Sequence, residues 1–174
     1  WNYWRYIVLK PAIFLDRDGV INIDDGYVYK ISDFKWIEGA KEAIKYINNL
    51  GYYVIVITNQ SGISRGYYSE NDVIKLHNYI NEKLKEVDAN IDDFFYSPFH
   101  PDGIVSEYKK KSNLRKPDTG MLELACKKWP ILIKDSIFIG DNQTDMQCAK
   151  NFGIKGYLYD TKKINLFNFI KEII

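Results

Sequence analysis

The sequence has little cysteine, little imbalance of charge and few long hydrophobic runs. Its 174 residues include 2 cysteines, and 24 lysines and arginines stand against 23 acidic residues. Neither Cys126 nor Cys148 has a spaced partner, so we expect two buried free thiols, with a disulfide as the alternative. The balanced charge offers no basic stripe for nucleic acid. The apolar run after the aromatic N-terminus is short and is interrupted by Lys10 and Pro11, which predicts neither a membrane span nor a signal peptide.

Several catalytic motifs are absent as well. No Gly-x-x-x-x-Gly-Lys-Ser/Thr loop and no Gly-x-Gly-x-x-Gly follows the first apolar strand, so the phosphate cradle of those nucleotide-binding folds is missing. There is no serine nucleophile elbow. His77 and His100 lack an obvious serine or cysteine partner, and we expect both to be surface or structural residues. The remaining candidates for chemistry are carboxylates with a threonine and a lysine.

The composition is that of an ordinary globular protein. Hydrophobic residues make up 46% and charged residues 27% of the chain, and the length suits one domain over residues 1–174. We expect residues 1–10 to be an N-terminal extension, either native or added by cloning. Apolar runs near residues 12–16, 53–57, 94–96, 137–140 and 156–159 alternate with helical patterns. This alternation predicts an α/β fold, a Rossmann-like three-layer α/β/α sandwich with a mostly parallel sheet of five or more strands.

Polar side chains stand where three of these strands end. Asp16 and Asp18 follow the first strand, Thr58 the second and Asp141 the fourth. If the backbone stays extended, Asp16 and Asp18 point to the same face. Ligands of parallel sheets sit beyond the carboxyl ends of the strands, so we expect these four residues to meet in one site.

Clustered carboxylates suit phosphate chemistry with a hard cation. Carboxylates bind Mg²⁺, which also takes phosphate oxygens, and a carboxylate can attack phosphorus to give an aspartyl phosphate. Asp16 is the best-placed nucleophile, Asp18 can transfer the proton, and Asp141 can complete the metal shell. The groups expected to stabilise the phosphoryl oxygens and their charge are Thr58, the amides of Asn59 and Gln60, and Lys116.

These residues also form a family pattern. Four motifs resemble, in order, those of the haloacid dehalogenase-like phosphatase superfamily: Asp16-Arg17-Asp18-Gly19-Val20, Thr58, Lys116-Pro117 and Gly140-Asp141-Asn142-Gln143-Thr144-Asp145. The resemblance implies that Asp16, Asp18 and Asp141 hold Mg²⁺, that Thr58 and Lys116 stabilise the phosphoryl group, and that no large cap domain is present. Asp145 either orients the site or only favours a helix N-terminus.

In finer detail, the sequence over residues 14–22, 26–28, 58–66 and 115–117 is similar to the branch of the superfamily that acts on heptose bisphosphates. This similarity implies removal of the 7-phosphate of D-glycero-D-manno-heptose 1,7-bisphosphate, in nucleotide-activated heptose synthesis for a bacterial surface polysaccharide. The alternatives are a histidinol-phosphate phosphatase and a sugar-phosphate binding protein without catalysis. The expected substrate contacts are Asp24, Asp25, Gly26, Tyr27, Asn59, Gln60, Ser61, Arg65, Arg115 and Asn142. We also expect a cytoplasmic monomer.

The chain departs from the family at two places. Many members hold a structural zinc in the long loop, which here spans residues 97–117, but the matching positions are Ser97, Phe99, Ser112 and Leu114. None of these is a plausible zinc ligand, so we predict no zinc. The loop must then be held by packing or else be mobile. Asn142 replaces a lysine that many members carry, which removes a positive charge from the site.

Overall fold

A computed structural model describes residues 7–174. Five parallel strands form one sheet in the order β3-β2-β1-β4-β5. The strands are β1 (Ala12–Leu15), β2 (Tyr53–Asn59), β3 (Asp93–Ser97), β4 (Ile137–Gly140) and β5 (Lys155–Leu158). β1 lies at the centre, so the loops that follow β1, β2 and β4 are neighbours at the carboxyl edge. The expectation for residues 1–10 falls partly on residues 1–6, which lie outside the described part of the chain.

Helices cover both faces of the sheet. They are α1 (Ala40–Asn49), α2 (Glu70–Lys85), α3 (Gly120–Lys128), α4 (Gln143–Phe152) and α5 (Leu166–Ile173). Alternate residues of β1 enter two different cores: Ile13 and Leu15 pack with α1, α2 and α5, whereas Ala12 and Phe14 pack with α3 and α4. A strand that is buried on both faces needs an apolar side chain at every position, which explains the continuous apolar runs of β1 and β2. The predicted three-layer α/β/α sandwich is confirmed.

The element boundaries differ only slightly from the prediction. β1 ends at Leu15, one residue before Asp16, and β5 begins and ends one residue earlier than expected. Ser69 caps α2 in a reciprocal arrangement with Asp72, which is the capping box in full. Both cysteines are free thiols, although only Cys148 is buried and Cys126 is half-buried. No helix within residues 7–174 is long and apolar enough to cross a membrane.

Candidate active site

The carboxyl edge of the sheet opens into a cavity of about 430 Å³. Its lining combines the loops after β1, β2 and β4 with the end of the long loop that follows β3. Twelve expected site residues line it: Asp16, Asp18, Asp24, Gly26, Tyr27, Asn59, Gln60, Ser61, Arg115, Lys116, Asp141 and Asn142. Thr58, Asp25 and Arg65 are not among the lining residues, whereas Tyr68, Thr144 and Asp145 line the cavity without having been expected as ligands.

A buried lysine lies between two buried carboxylates at the floor of this cavity. Lys116 Nζ is 3.1 Å from Asp16 Oδ1 and 2.7 Å from Asp145 Oδ1, and it donates to the main-chain oxygen of Ile57 at 2.9 Å. The contact with Asp145 is short but poorly aligned for a hydrogen bond, so we describe it as an ion pair. Asp145 Oδ2 is buried and meets no donor. Asp145 therefore belongs to the site and does more than favour a helix N-terminus.

The excess of negative charge shows in the pKa values. Burial raises the pKa of Asp16 well above its usual range, and the nearby carboxylates raise it further while Lys116 opposes the shift. Burial, followed by Asp145, also raises the pKa of Asp141. Burial alone would lower the pKa of Lys116, but Asp16 and Asp145 outweigh burial and raise it. Three carboxylates thus lie together while the ammonium group of Lys116 pairs with only two of them, and a further cation would relieve their repulsion.

The same carboxylates form a group that fits a divalent cation. Oxygen atoms of Asp16, Asp141 and Asp145 all lie within 4.8 Å of one another. Hard oxygen donors of this kind suit Mg²⁺, which uses one or two protein carboxylates and keeps sites for phosphate and water. The group does not include the carboxylate of Asp18. The donor set and the partnerless oxygen of Asp145 therefore fit the expected metal.

Asp18 faces a separate set of donors. Arg17 Nη2 donates to its two oxygens at 2.9 and 3.2 Å, Asn22 Nδ2 donates to Oδ1 at 3.0 Å, and Gln60 Nε2 donates to Oδ2 at 3.1 Å. Gly19 follows with a φ of +84°, which turns the chain sharply after Asp18. The two aspartates consequently share a cavity but not a set of partners.

Two glycines allow the loops to approach each other this closely. A Cβ atom at Gly19 would overlap the carboxylate of Asp141, and one at Gly140 would overlap the side chain of Asp145. Each glycine leaves the space that an acidic side chain occupies. An alanine at either position would force the neighbouring acidic side chain to move and would so disturb the carboxylate group.

Side chains from β2 and the loop that follows it form a hydrogen-bonded wall of the cavity. Gln60 Nε2 also donates to Thr58 Oγ1 at 2.9 Å, and Tyr68 donates to Gln60 Oε1 at 2.6 Å. Asn59 accepts from the main-chain N–H of Lys116 at 3.0 Å and donates to its carbonyl at 3.2 Å. The side chain of Asn59 thus acts mainly as an anchor for Lys116, which the sequence did not suggest.

Two arginines near the rim have buried donors without acceptors. Nε of Arg65 and Nη1 of Arg115 lack a hydrogen-bond partner, and neither guanidinium pairs with a carboxylate of residues 7–174 within 4 Å. Burial and the charge of Arg65 lower the pKa of Arg115. Burial, Arg115 and Arg65 likewise lower the pKa of His100, which places these groups near one another. Such unpaired guanidinium groups are suited to bind an anion.

The loop after β1 contributes an aromatic rim. Tyr27, in the left-handed region with a φ of +50°, meets Tyr67 edge-on with ring centroids 4.8 Å apart, and both are exposed. Asp24 accepts from the N–H of Gly26 at 3.0 Å. Asp25 instead pairs with Lys35 at 3.1 Å on the exposed side of the loop. The structure therefore brings Asp24, Gly26 and Tyr27 to the cavity but not Asp25.

The long loop after β3 is held by packing and hydrogen bonds. Tyr96 and Tyr108 donate to the two carboxylate oxygens of Glu70 at 2.8 and 2.7 Å, and the Glu70 bond raises the pKa of Tyr108 to about 12. The N–H groups of residues 104 and 105 donate to Ser64 O at 2.7 and 2.9 Å. These contacts join the loop to α2 and to the loop after β2. The absence of zinc stays a prediction.

Asn142 has a structural task at the start of α4. Its Oδ1 accepts from the N–H of Asp145 at 3.1 Å, and its Nδ2 donates to Asp141 Oδ1 at 3.1 Å. Asparagine is among the best N-cap residues. The replacement of lysine at this position thus adds a helix cap next to the carboxylate group.

A larger cavity of about 700 Å³ borders the first one and shares Asp24 and Asp141 with it. It lies between β5 and the start of α5, and its lining contains neither Asp16 nor Lys116. The smaller cavity holds the reactive groups, so it is the candidate active site.

Comparisons with known proteins agree with this geometry. A family model described as polynucleotide kinase 3 phosphatase matches residues 13–161. A D-glycero-beta-D-manno-heptose-1,7-bisphosphate 7-phosphatase of Rhodopseudomonas palustris is 41% identical over 165 residues, covering 95% of this chain and 91% of that protein. The corresponding alpha enzyme of Photorhabdus laumondii is 47% identical over 141 residues, covering 81% and 77%. The fold matches a D,D-heptose 1,7-bisphosphate phosphatase from B. bronchiseptica, complexed with magnesium and phosphate, with a TM-score of 0.82, 24% identity and 94% and 97% coverage.

Proposed function

Because this chain belongs to the polynucleotide kinase 3 phosphatase family of haloacid dehalogenase-like enzymes, we propose that it removes the 7-phosphate of D-glycero-D-manno-heptose 1,7-bisphosphate with the help of Mg²⁺. The observation that carries the choice of a bisphosphate is the pair of guanidinium groups with buried, unpartnered donors beside the carboxylate cavity. The reacting phosphate needs the carboxylate and lysine end, and Arg65 and Arg115 leave a second anion site. A substrate with one phosphate would leave that site unfilled.

The reaction can be divided between two aspartates. The carboxylate of Asp16 attacks phosphorus, the bond from phosphorus to the sugar oxygen breaks, and Asp18 gives its proton to that oxygen. Asp18 then takes a proton from water as the water attacks phosphorus, the bond to Asp16 breaks, and inorganic phosphate leaves. Arg17, Asn22 and Gln60 hold the Asp18 carboxylate for both steps. Asp145 orients Lys116 toward Asp16, where the ammonium group offsets charge on the phosphoryl oxygens.

The carboxylates of Asp16 and Asp141 are the proposed Mg²⁺ ligands. When bound, the cation favours the ionised form of Asp16 and neutralises phosphate charge. Asp18 can join the shell only through its main-chain oxygen, because its carboxylate is occupied by the three donors named above. That oxygen accepts none of the described backbone bonds of the turn, whereas the carbonyl of Arg17 accepts three. The remaining sugar contacts are assigned to Asp24, Gly26, Tyr27 and Ser61.

The nucleophile is tested by phosphate release with Mg²⁺ for the wild type and Asp16→Asn. We expect Asp16→Asn to lose turnover. The control Asp135→Asn should keep normal turnover, because Asp135 is an exposed carboxylate at the opposite edge of the sheet. Normal turnover by Asp16→Asn would exclude the aspartyl-phosphate route. Absence of any phosphate release by the wild type would favour the binding-protein alternative.

The substrate is tested by comparing kcat/KM on the α and β heptose bisphosphates, on heptose 7-phosphate and on histidinol phosphate. Both anomers are needed because relatives named for each one match this chain. Arg115→Ala should lower kcat/KM for the preferred bisphosphate by about 10- to 100-fold, the worth of a hydrogen bond to a charged group. The same variant should change kcat/KM for heptose 7-phosphate by less than about 3-fold, since this substrate lacks the second phosphate. Faster turnover of histidinol phosphate by the wild type would overturn the assignment.

The setting of the reaction follows the resemblance. We place the enzyme in the cytoplasm, in nucleotide-activated heptose synthesis for surface polysaccharide, and as a monomer. Light scattering on the purified protein measures the oligomeric state directly.

A further inference from the structure

Arg17, the largest of the fully buried side chains, has its charged end fixed on three sides. Its Nη2 donates to Asp18 and, at 2.6 Å, to the carbonyl of Val28, while its Nη1 lies 3.3 Å from His77 Nε2. A buried guanidinium needs an acceptor for each group of donors, because water cannot reach it. His77 is the partner of Nη1, so the orientation of the guanidinium depends on this histidine.

His77 is well suited to accept from an arginine. It is only 4% exposed and stacks on Phe94 with ring centroids 4.3 Å apart and planes 15° apart. Burial, and then the charge of Arg17, hold the pKa of His77 well below its usual range, so the imidazole is neutral. Because a guanidinium can only donate, Nε2 must be the unprotonated nitrogen. Neutral His77 therefore gives α2 a fixed acceptor beneath the catalytic loop, which the sequence alone suggested only as a surface or structural residue.

Arg17 connects His77 to the carboxylate of Asp18, the proposed proton donor. Arg17 is the only cation of residues 7–174 that forms an ion pair with Asp18. If Nη1 loses its acceptor, the guanidinium can turn toward other acceptors, and the Asp18 oxygens follow it. Asn22 and Gln60 would remain, so the carboxylate would be displaced rather than lost. Proton transfer is sensitive to such displacement because it requires hydrogen-bond distance to the reacting oxygen.

We propose that His77 is a positioning residue, which acts through Arg17 to hold the Asp18 carboxylate where it protonates the leaving oxygen. This proposal rests on the proton-transfer role given to Asp18 above. It concerns the leaving group only, and it is independent of which sugar the enzyme uses.

The test compares two generic phosphate monoesters with Mg²⁺. The leaving group of β-glycerophosphate is the alkoxide of glycerol, which needs a proton. The leaving group of 4-nitrophenyl phosphate is the stable 4-nitrophenolate, which does not. We expect His77→Leu to lower kcat/KM for β-glycerophosphate by about 10-fold or more, a part of the 10²- to 10⁴-fold that general acid catalysis supplies. The same variant should change kcat/KM for 4-nitrophenyl phosphate by less than about 3-fold, because that step lacks the proton transfer. His77→Gln should restore most of the loss, because its amide oxygen can accept from Arg17.

Two further variants separate positioning from general destabilisation. Leu84→Ala removes a buried side chain on the same face of α2, two turns beyond His77. It should change kcat/KM for the two esters by the same factor, and the measured folded fraction should account for that change. His77→Asn, whose amide is too short to reach Nη1, replaces His77→Leu in the comparison if the leucine variant does not fold. Equal losses on both esters, or no rescue by glutamine, would overturn the proposal. If the wild type hydrolyses both esters but not heptose bisphosphate, the proposed substrate fails while this test still stands.

Discussion

Replacing Lys116 with methionine should destabilise the metal-free protein by about 3–5 kcal/mol near neutral pH, the usual cost of breaking a buried ion pair from one side. Lys116 is 3% exposed, and its two carboxylate partners are 6% and 0% exposed. The variant keeps the length of the side chain but loses the ammonium group and its bond to Ile57 O. Asp16 and Asp145 are then left buried without a cation.

The size of this loss should depend on pH. In the wild type the folded-state pKa of Lys116 is raised, so its stabilisation is fully present below the usual lysine pKa and is lost only above it. The folded-state pKa of Asp16 is also raised, so ionisation of Asp16 costs stability as pH rises above the unfolded value near 3.8. Without Lys116 that pKa rises further. The difference between wild type and variant should therefore be small near pH 4 and grow toward pH 8.

The assay is guanidinium chloride unfolding in the presence of a chelator, at pH 4.5, 6 and 8. Lys83→Met is the matched control, because Lys83 lies at the same 2.7 Å from Glu86 but on the exposed surface, where such a pair contributes little. Addition of Mg²⁺ at pH 8 should recover part of the loss, since the cation neutralises the remaining carboxylates. A difference that stays constant between pH 4.5 and 8, or one no larger than that of the control, would refute the reasoning.

Three further outcomes are expected. Gly19→Ala should abolish phosphate release and weaken Mg²⁺ binding in calorimetry, because the new Cβ overlaps Asp141 and φ is +84°; retained metal affinity would contradict this. Asn142→Lys should lower the melting temperature through loss of an N-cap worth about 1 kcal/mol, and lower KM through the added charge; an unchanged melting temperature would show that the cap is dispensable. Tyr108→Phe should increase proteolytic cleavage of the loop after β3, because Glu70 loses a bond of 2.7 Å, and equal cleavage of both proteins would show that packing alone holds the loop.

The convergence of Asp16, Asp18 and Asp141 could be predicted from the sequence, because a parallel sheet brings the groups that follow its strands to one edge. Continuous apolar runs are typical of central strands, and groups placed after such strands meet at one edge. The fold and the centre of the site therefore follow from periodicity and order along the chain. The family resemblance then supplied the substrate class, which no pattern of hydrophobicity contains.

The partners of each side chain were harder to predict, since they depend on contacts across layers. The expectation that Asp16 and Asp18 point to one face assumed an extended backbone, but β1 ends at Leu15 and the chain turns at Gly19. The burial of Asp145 depends on the missing Cβ of Gly140, and no local pattern reveals this contact. A signal for His77 did exist, since it occupies the apolar face of α2 beside Leu76.

The two hydrogen bonds between Asn59 and the backbone of Lys116 allow the long loop before Lys116 to change without loss of the lysine's position. Because β2 fixes the lysine directly, the segment between Ser97 and Arg115 can differ in length and content without moving the ammonium group. Loops that are held in other ways could therefore replace the present one, which Tyr108 joins to Glu70, while Lys116 keeps its position. For engineering, the exposed lysines 109–111 offer a grafting point, where a foreign segment could alter what the enzyme accepts and leave the chemistry of phosphate transfer untouched.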